Sequence, residues 1–167
     1  MKNLIIGASS RFGSKLKTVL PGVYLNKQEL DISEDIKHNL NDRFDNVCVL
    51  ITNKSEDIVE ASMFIRSLFR LLDTLDFDRA YLFTSGKGTY VESKDSDNIA
   101  YSVEKMLLNF ISYKKNFDDL KYSLIHPGHM ETDDDYDKAV ELFVDWMGMI
   151  PRKNLIWNLQ KKTFMPF

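Results

Sequence analysis

Tyr101 and Lys105 stand four residues apart in Tyr101-Ser102-Val103-Glu104-Lys105, inside a segment, Ile99 to Lys115, whose apolar residues recur at helical spacing. On a helix that separation puts both side chains on one face, and an ammonium beside a phenol favours the phenolate. A phenol that ionises near pH 10 in isolation needs such help to act as an acid or base near neutrality. Taken alone the pair is also ordinary helix decoration, so its meaning rests on its surroundings. A second candidate is Gly7-Ala8-Ser9-Ser10-Arg11-Phe12-Gly13, a small-residue loop between a short apolar run and a helix-like segment. Small residues let backbone amides approach a pyrophosphate, and a helix start adds partial positive charge. A tight strand-to-helix turn without a ligand has the same composition.

The elements that must position these residues alternate along the chain. Short apolar runs without polar alternation predict strands at Asn3–Ile6, Val23–Leu25, Asn46–Thr52, Ala80–Thr84 and Tyr122–His126. Helical spacing predicts helices at Arg11–Leu20, Glu34–Phe44, Glu56–Leu75, Ile99–Lys115 and Asp135–Trp146. Ser33 before Glu34-Asp35, and Ser55 before Glu56-Asp57, read as N-caps with acidic first turns, and Pro21-Gly22 closes the first helix. Strand and helix in alternation imply an α/β fold, a Rossmann-like doubly wound parallel sheet in a single domain spanning residues 1–167. Ligands of such sheets bind outside the C-terminal strand ends. There the end of the second strand faces an adenosine ribose, where an acidic side chain selects a free 2′-hydroxyl and a basic one a 2′-phosphate. Lys27 and Arg11 lean toward the phosphate, although a solvated surface charge is the commoner fate of both.

Set in order, the motifs resemble those of the short-chain dehydrogenase/reductase family. Gly7 to Gly13, with Ser9, Ser10, Arg11 and Phe12 between, is similar to its glycine-rich cofactor loop; Leu30-Asp31-Ile32 is similar to its adenine contact, and Leu50-Ile51-Thr52-Asn53 to the strand-end motif that follows. Ser85, in Thr84-Ser85-Gly86-Lys87-Gly88, matches the family's catalytic serine, Tyr101 and Lys105 its Tyr-x-x-x-Lys pair, and Pro127-Gly128 with Thr132 its loop beside the nicotinamide. The resemblance covers about Met1 to Thr132. It implies that Ser85 holds the substrate oxygen, Tyr101 moves the proton, and Lys105 assists the tyrosine and holds the nicotinamide ribose. Gly7, Ser9, Ser10, Arg11, Phe12, Gly13, Lys27, Asp31, Asn53, Pro127, Gly128 and Thr132 are then the expected cofactor contacts, for NADP rather than NAD.

Some positions depart from the pattern. Arg11 stands where the family has its second glycine, and either contacts a phosphate or occupies its place. The family's helix asparagine is missing, with Glu60 near the expected position. The Ser85 to Tyr101 interval is wider than in classical members, and the close succession of Val23–Leu25 and Asp31 reduces the intervening element to a turn, as in sugar-nucleotide-modifying members.

Composition bounds the rest. The 167 residues, 44% hydrophobic, suffice for one core, and a net charge of −3 from mixed acidic and basic residues leaves no footprint for nucleic acid or anionic membrane. The single cysteine, Cys48, sits in an apolar strand and excludes an internal disulfide; with no membrane-length or signal-like apolar run, a cytoplasmic location is expected. Asp133-Asp134-Asp135 suits a helix start better than a metal, since consecutive residues do not converge on one ion, and no metal site is expected. His126 and His129 read as loop histidines at the cleft. The apolar tail from Leu155 docks at an interface or closes the sheet as a terminal strand, and a homo-oligomer is expected. The function expected is hydride transfer between NAD(P) and a small alcohol or carbonyl compound. A non-catalytic nucleotide-binding or regulatory protein, and a sugar-nucleotide epimerase or dehydratase, are the alternatives.

Overall fold

A computed structural model describes residues 1–32, 40–52, 55–84, 99–150 and 156–165, the side chains of 164 and 165 excepted. In chain order the elements are β1 (Asn3–Ile6), α1 (Arg11–Leu16), β2 (Val23–Leu25), β3 (Arg43–Val49), α2 (Ile58–Thr74), β4 (Asp76–Phe83), α3 (Ile99–Lys115), β5 (Tyr122–His126), α4 (Asp133–Trp146), β6 (Ile156–Asn158) and β7 (Thr163–Met165). The strands form one sheet in the order β2-β1-β3-β4-β5-β6-β7. All neighbours pair in parallel except β6 and β7, which are antiparallel. The expected doubly wound α/β sheet is therefore present.

Strand alternation divides the core into two layers. Leu4, Ile6, Val47, Val49, Ala80, Leu82, Leu124 and Ile156 face one side and pack against Ile65, Leu68 and Leu72 of α2 and Leu108 of α3. Ile5, Cys48, Tyr81, Ile125 and Trp157 face the other, against Phe12 and Leu16 of α1 and Val140 and Phe143 of α4. A strand buried on both faces needs apolar residues at every position, which is why these runs lack polar alternation.

The structure corrects several boundaries. Arg43 and Phe44, expected to end a helix from Glu34, begin β3 and pair with Asp76 and Phe77; residues 40–42 are not helical either, and residues 34–39 with the Ser33 cap lie outside the described residues. Pairing between neighbours, reinforced by Arg43 Nη2 at 2.5 Å from Asp78, outweighs the polar composition of both strand starts. At the other end β3 stops at Val49 and α1 stops at Leu16. The cap of α2 is Asp57 rather than Ser55: its Oδ1 accepts from the amides of Val59 and Glu60, while Ser55 Oγ accepts from the Asp57 amide. The tail resolves into a core strand, β6, with Ile156, Trp157 and Asn158 all buried, and a hairpin partner, β7. None of the described helices is long and apolar enough to cross a membrane.

Candidate functional site

The sheet reverses its winding between β1 and β3, since the chain passes from β1 outward to β2 and returns to β3 on the other side. Crossovers leave such a point in opposite directions and open a crevice at the C-terminal strand ends. Gly7 closes β1 with φ +96°, where a Cβ would stand 2.8 Å from Ile51 Cγ2 and 3.1 Å from the Leu50 carbonyl carbon. A side chain is excluded there both by backbone conformation and by the neighbouring chain. At Gly13 a Cβ would meet the Gly7 carbonyl oxygen at 2.7 Å, so glycine at this place lets α1 pack directly on the loop. The amides of Gly7 and Ala8 donate to Leu25 O, and Ser10 caps α1 by accepting from the Gly13 amide at 2.9 Å. Ser9 is exposed, whereas Phe12 turns inward onto Phe83 (centroids 4.8 Å apart) and Phe143 (6.1 Å), so its ring belongs to the core.

Arg11 neither covers the loop nor reaches the end of β2. Its Nε and Nη2 donate to Asp133 Oδ1 at 3.0 and 2.7 Å, its Nη1 to Glu131 O at 3.0 Å, and its guanidinium lies 4.5 Å from the Tyr136 ring centroid. The first residue of α1 is thereby tied to the start of α4. Asp133 beside Arg11 is held below the usual carboxylate range. Thr132 is the α4 cap: its Oγ1 accepts from the Asp135 amide, and Asp135 Oδ2 accepts in return from the amides of Thr132 and Glu131. Those amide hydrogen bonds pull the Asp135 carboxyl down to about 2. Asp134 pairs with Lys138 at 2.6 Å. The three aspartates thus perform three separate tasks, and among the described residues no three His, Cys, Asp or Glu side chains are grouped to hold a metal ion.

At the end of β2, Asn26 Oδ1 accepts from the amides of Gln28 and Glu29, forming the expected turn toward Asp31. Lys27 is exposed and lies 3.7 Å from Asp31, so the two expected adenosine contacts are paired with each other. Pro127 and Gly128 follow β5, with Gln160 of the β6–β7 turn packed over Gly128 and donating to His129 O. His129 is exposed and pairs with Glu131. His126 is half-buried, and burial together with Lys161 holds its imidazole below the ordinary range. Two polar atoms at adjoining strand ends have no partner among the described residues: Thr84 Oγ1 after β4 and His126 Nδ1 at the end of β5. Ser85 and Asn53 lie outside the described residues.

The centre of the site is α3. Lys105 is buried, and its Nζ lies 5.3 Å from the Tyr101 ring centroid, as the four-residue spacing predicts. Beside them is a residue to which the sequence pattern alone assigns no role. Glu104 is 1% exposed, its Oε1 lies 3.0 Å from Lys105 Nζ, and it accepts from Thr52 Oγ1 at 2.9 Å. Glu60, placed near the missing asparagine by sequence, is exposed on the first turn of α2. The signal for Glu104 was present: positions 101, 104, 105 and 108 trace the inner stripe of an amphipathic helix, where a carboxylate needs a partner.

No protein-family model and no curated protein sequence matches the chain. Solved structures do. A carbonyl reductase from Pseudomonas aeruginosa PAO1, crystallised with NADP, superposes with a TM-score of 0.73 at 15% identity, over 100% of both chains. A protein assigned as a short-chain alcohol dehydrogenase from Burkholderia multivorans gives 0.72 at 16% identity, over 99% of each. This chain has their fold. A GDP-L-fucose synthetase from Naegleria fowleri, bound to NADP, gives 0.62 at 12% identity, over 75% of this chain; the match spans about half (52%) of the synthetase.

Proposed function

We propose that the protein is an NADP-dependent oxidoreductase of the short-chain dehydrogenase/reductase type, acting on a small carbonyl or alcohol compound. The observation that carries this reading is the Tyr101–Lys105 pair, its ammonium buried beside the phenol ring on the helix that follows β4. Support for the cofactor comes from the cradle at Gly7 and Gly13, where any Cβ would intrude, and from two neighbours of the same fold crystallised with NADP. In this reading residues 7–13 would hold the cofactor's diphosphate. The amides of Gly7, Ala8, Ser10 and Gly13 are engaged within the protein, so those of Ser9, Arg11 and Phe12 would be the ones to hold the ligand. Lys27, now beside Asp31, would hold the 2′-phosphate, and Pro127, Gly128 and Thr132 would border the nicotinamide.

Nicotinamide supplies or accepts the hydride when bound. Everything else falls to the chain. Ser85 holds the substrate oxygen, and Tyr101 donates the proton to that oxygen in reduction or removes it in oxidation. Lys105 stabilises the phenolate left behind. Carbonyl reduction is favoured over sugar-nucleotide chemistry because this chain and the carbonyl reductase superpose over their full lengths, whereas the synthetase match spans about half of that enzyme.

Purified protein titrated with NADPH and NADH in thermal shift should be stabilised more by NADPH. Tyr101→Phe should then reduce NADPH-dependent turnover of a carbonyl panel by at least about a hundredfold while NADPH affinity stays within about threefold. Equal turnover of the variant sinks the acid–base assignment. No shift with either nucleotide sinks the enzyme reading altogether.

A further inference from the structure

We propose that Glu104 is a positioning residue of the Tyr101–Lys105 pair, fixing the ammonium and opposing its charge. The proposal deepens the acid–base reading of Tyr101 and rests on it.

Three observations carry it. Lys105 and Glu104 are adjacent in sequence and both buried, with side chains 4% and 1% exposed, so the pair is shielded from solvent screening. Glu104 Oε1 is bound from two sides, by Lys105 Nζ at 3.0 Å and by the Thr52 hydroxyl at 2.9 Å. Thr52 follows β3, so the carboxylate links α3 to the strand end that borders the crevice. The ammonium is consequently held between a carboxylate and the Tyr101 ring instead of standing as an uncompensated charge beside the phenol. An opposing charge this close both weakens the pull of Lys105 on the phenolate and makes a charged lysine tolerable in the interior, so its removal changes that pull.

Among the described residues, no other group accounts for such an effect. Of the elements packed against α3, α2 carries Glu60, Arg66 and Arg70, all exposed, and Asp73, which pairs with Lys115 at the last turn of α3. On β5, His126 is held in its neutral form above neutral pH by burial and by Lys161, and Tyr122 is pushed up by burial, so neither changes charge in the range where a phenol titrates beside an ammonium. Thr52 and Thr84, at the ends of β3 and β4, carry no charge.

The test is a spectroscopic titration of the tyrosinate band. Seven tyrosines contribute to it, so the Tyr101 component is obtained by subtracting the curve of Tyr101→Phe from that of the parent, in the wild-type and in the Glu104→Gln backgrounds. Glu104→Gln removes the charge while keeping the shape, since the amide oxygen of the replacement still accepts from the Thr52 hydroxyl. The Tyr101 midpoint should move by about one pH unit in Glu104→Gln, because the buried ammonium then either acts on the phenol unopposed or is no longer sustained. An unchanged midpoint overturns the proposal, as does a Tyr101 band that appears in neither protein before the fold is lost. If Glu104→Gln does not fold by circular dichroism, Thr52→Val decides, with a smaller shift expected and an unmoved midpoint overturning it. Absence of turnover with any carbonyl would sink the enzyme reading and leave this titration interpretable, so the two failures are distinguishable.

Discussion

Two cation–carboxylate pairs flank the crevice, alike in chemistry and unlike in setting. Arg11 and Asp133 meet at the mouth with side chains 46% and 73% exposed, while Lys105 and Glu104 meet under α3 at 4% and 1%. The exposed pair is screened by water and salt, and its value lies in aligning α1 with α4. Burial of two charges costs several kcal/mol of hydration per ion, which mutual attraction repays only when geometry and further hydrogen bonds are good. Similar volume filled by apolar side chains would serve stability as well. On the proposed reading the buried pair serves the chemistry of Tyr101, whereas the pair at the mouth needs no such explanation.

The sharpest way to break this comparison is to delete one carboxylate from each pair. Glu104→Ala should lose about 3–5 kcal/mol in chemical denaturation, because it strands the Lys105 ammonium in the interior; the double variant Glu104→Leu/Lys105→Met should recover most of that loss. A loss for Glu104→Ala no larger than that for the surface pair would mean that water reaches Lys105 and that the two settings are equivalent. Asp133→Ala should cost only a small fraction of the Glu104→Ala loss and become undetectable at high salt.

Acid sharpens the contrast further, with the smallest effect. Asp135 is depressed to about 2 by the amides it accepts from, and Asp133 is lowered by Arg11. A carboxylate depressed in the folded state contributes stability that is complete above its unfolded value, near 4, and is lost as pH falls through the folded one. The start of α4 should then loosen between about pH 4 and pH 2. The chain's two tryptophans report on it, since Trp146 ends α4 and its ring lies 6.2 Å from that of Trp157 on β6. A fluorescence change in that interval is expected in the wild type and should be reduced in Asp135→Asn. A flat wild-type signal would show that the cap does not govern α4.

Legibility followed the range of the interactions. The Tyr101–Lys105 face, the Gly7–Gly13 loop and the strands β1, β2 and β5 were readable because periodicity and local sterics fix them. Arg43 and Phe44 were misread as helix because their strand exists through pairing with Asp76 and Phe77, thirty-three residues away. The partner of Arg11 is unreadable in the sequence because Asp133 is 122 residues distant. Glu104 was passed over for a different reason: its position on the inner stripe was readable, but its partner Thr52 was not.

The sequence by itself determined the alternation of strand and helix, the doubly buried character of the sheet, and which residues share the inner face of α3. Those follow from a period of 2 or 3.6 and from backbone sterics, which act over a few residues. Only the tertiary structure decided what each charge meets. It turned Arg11 toward α4, paired Lys27 with Asp31, and enclosed Glu104 with Lys105 and Thr52. The energy of a charge depends on the distance to its partner and on the water excluded around it, and both are set when distant segments pack.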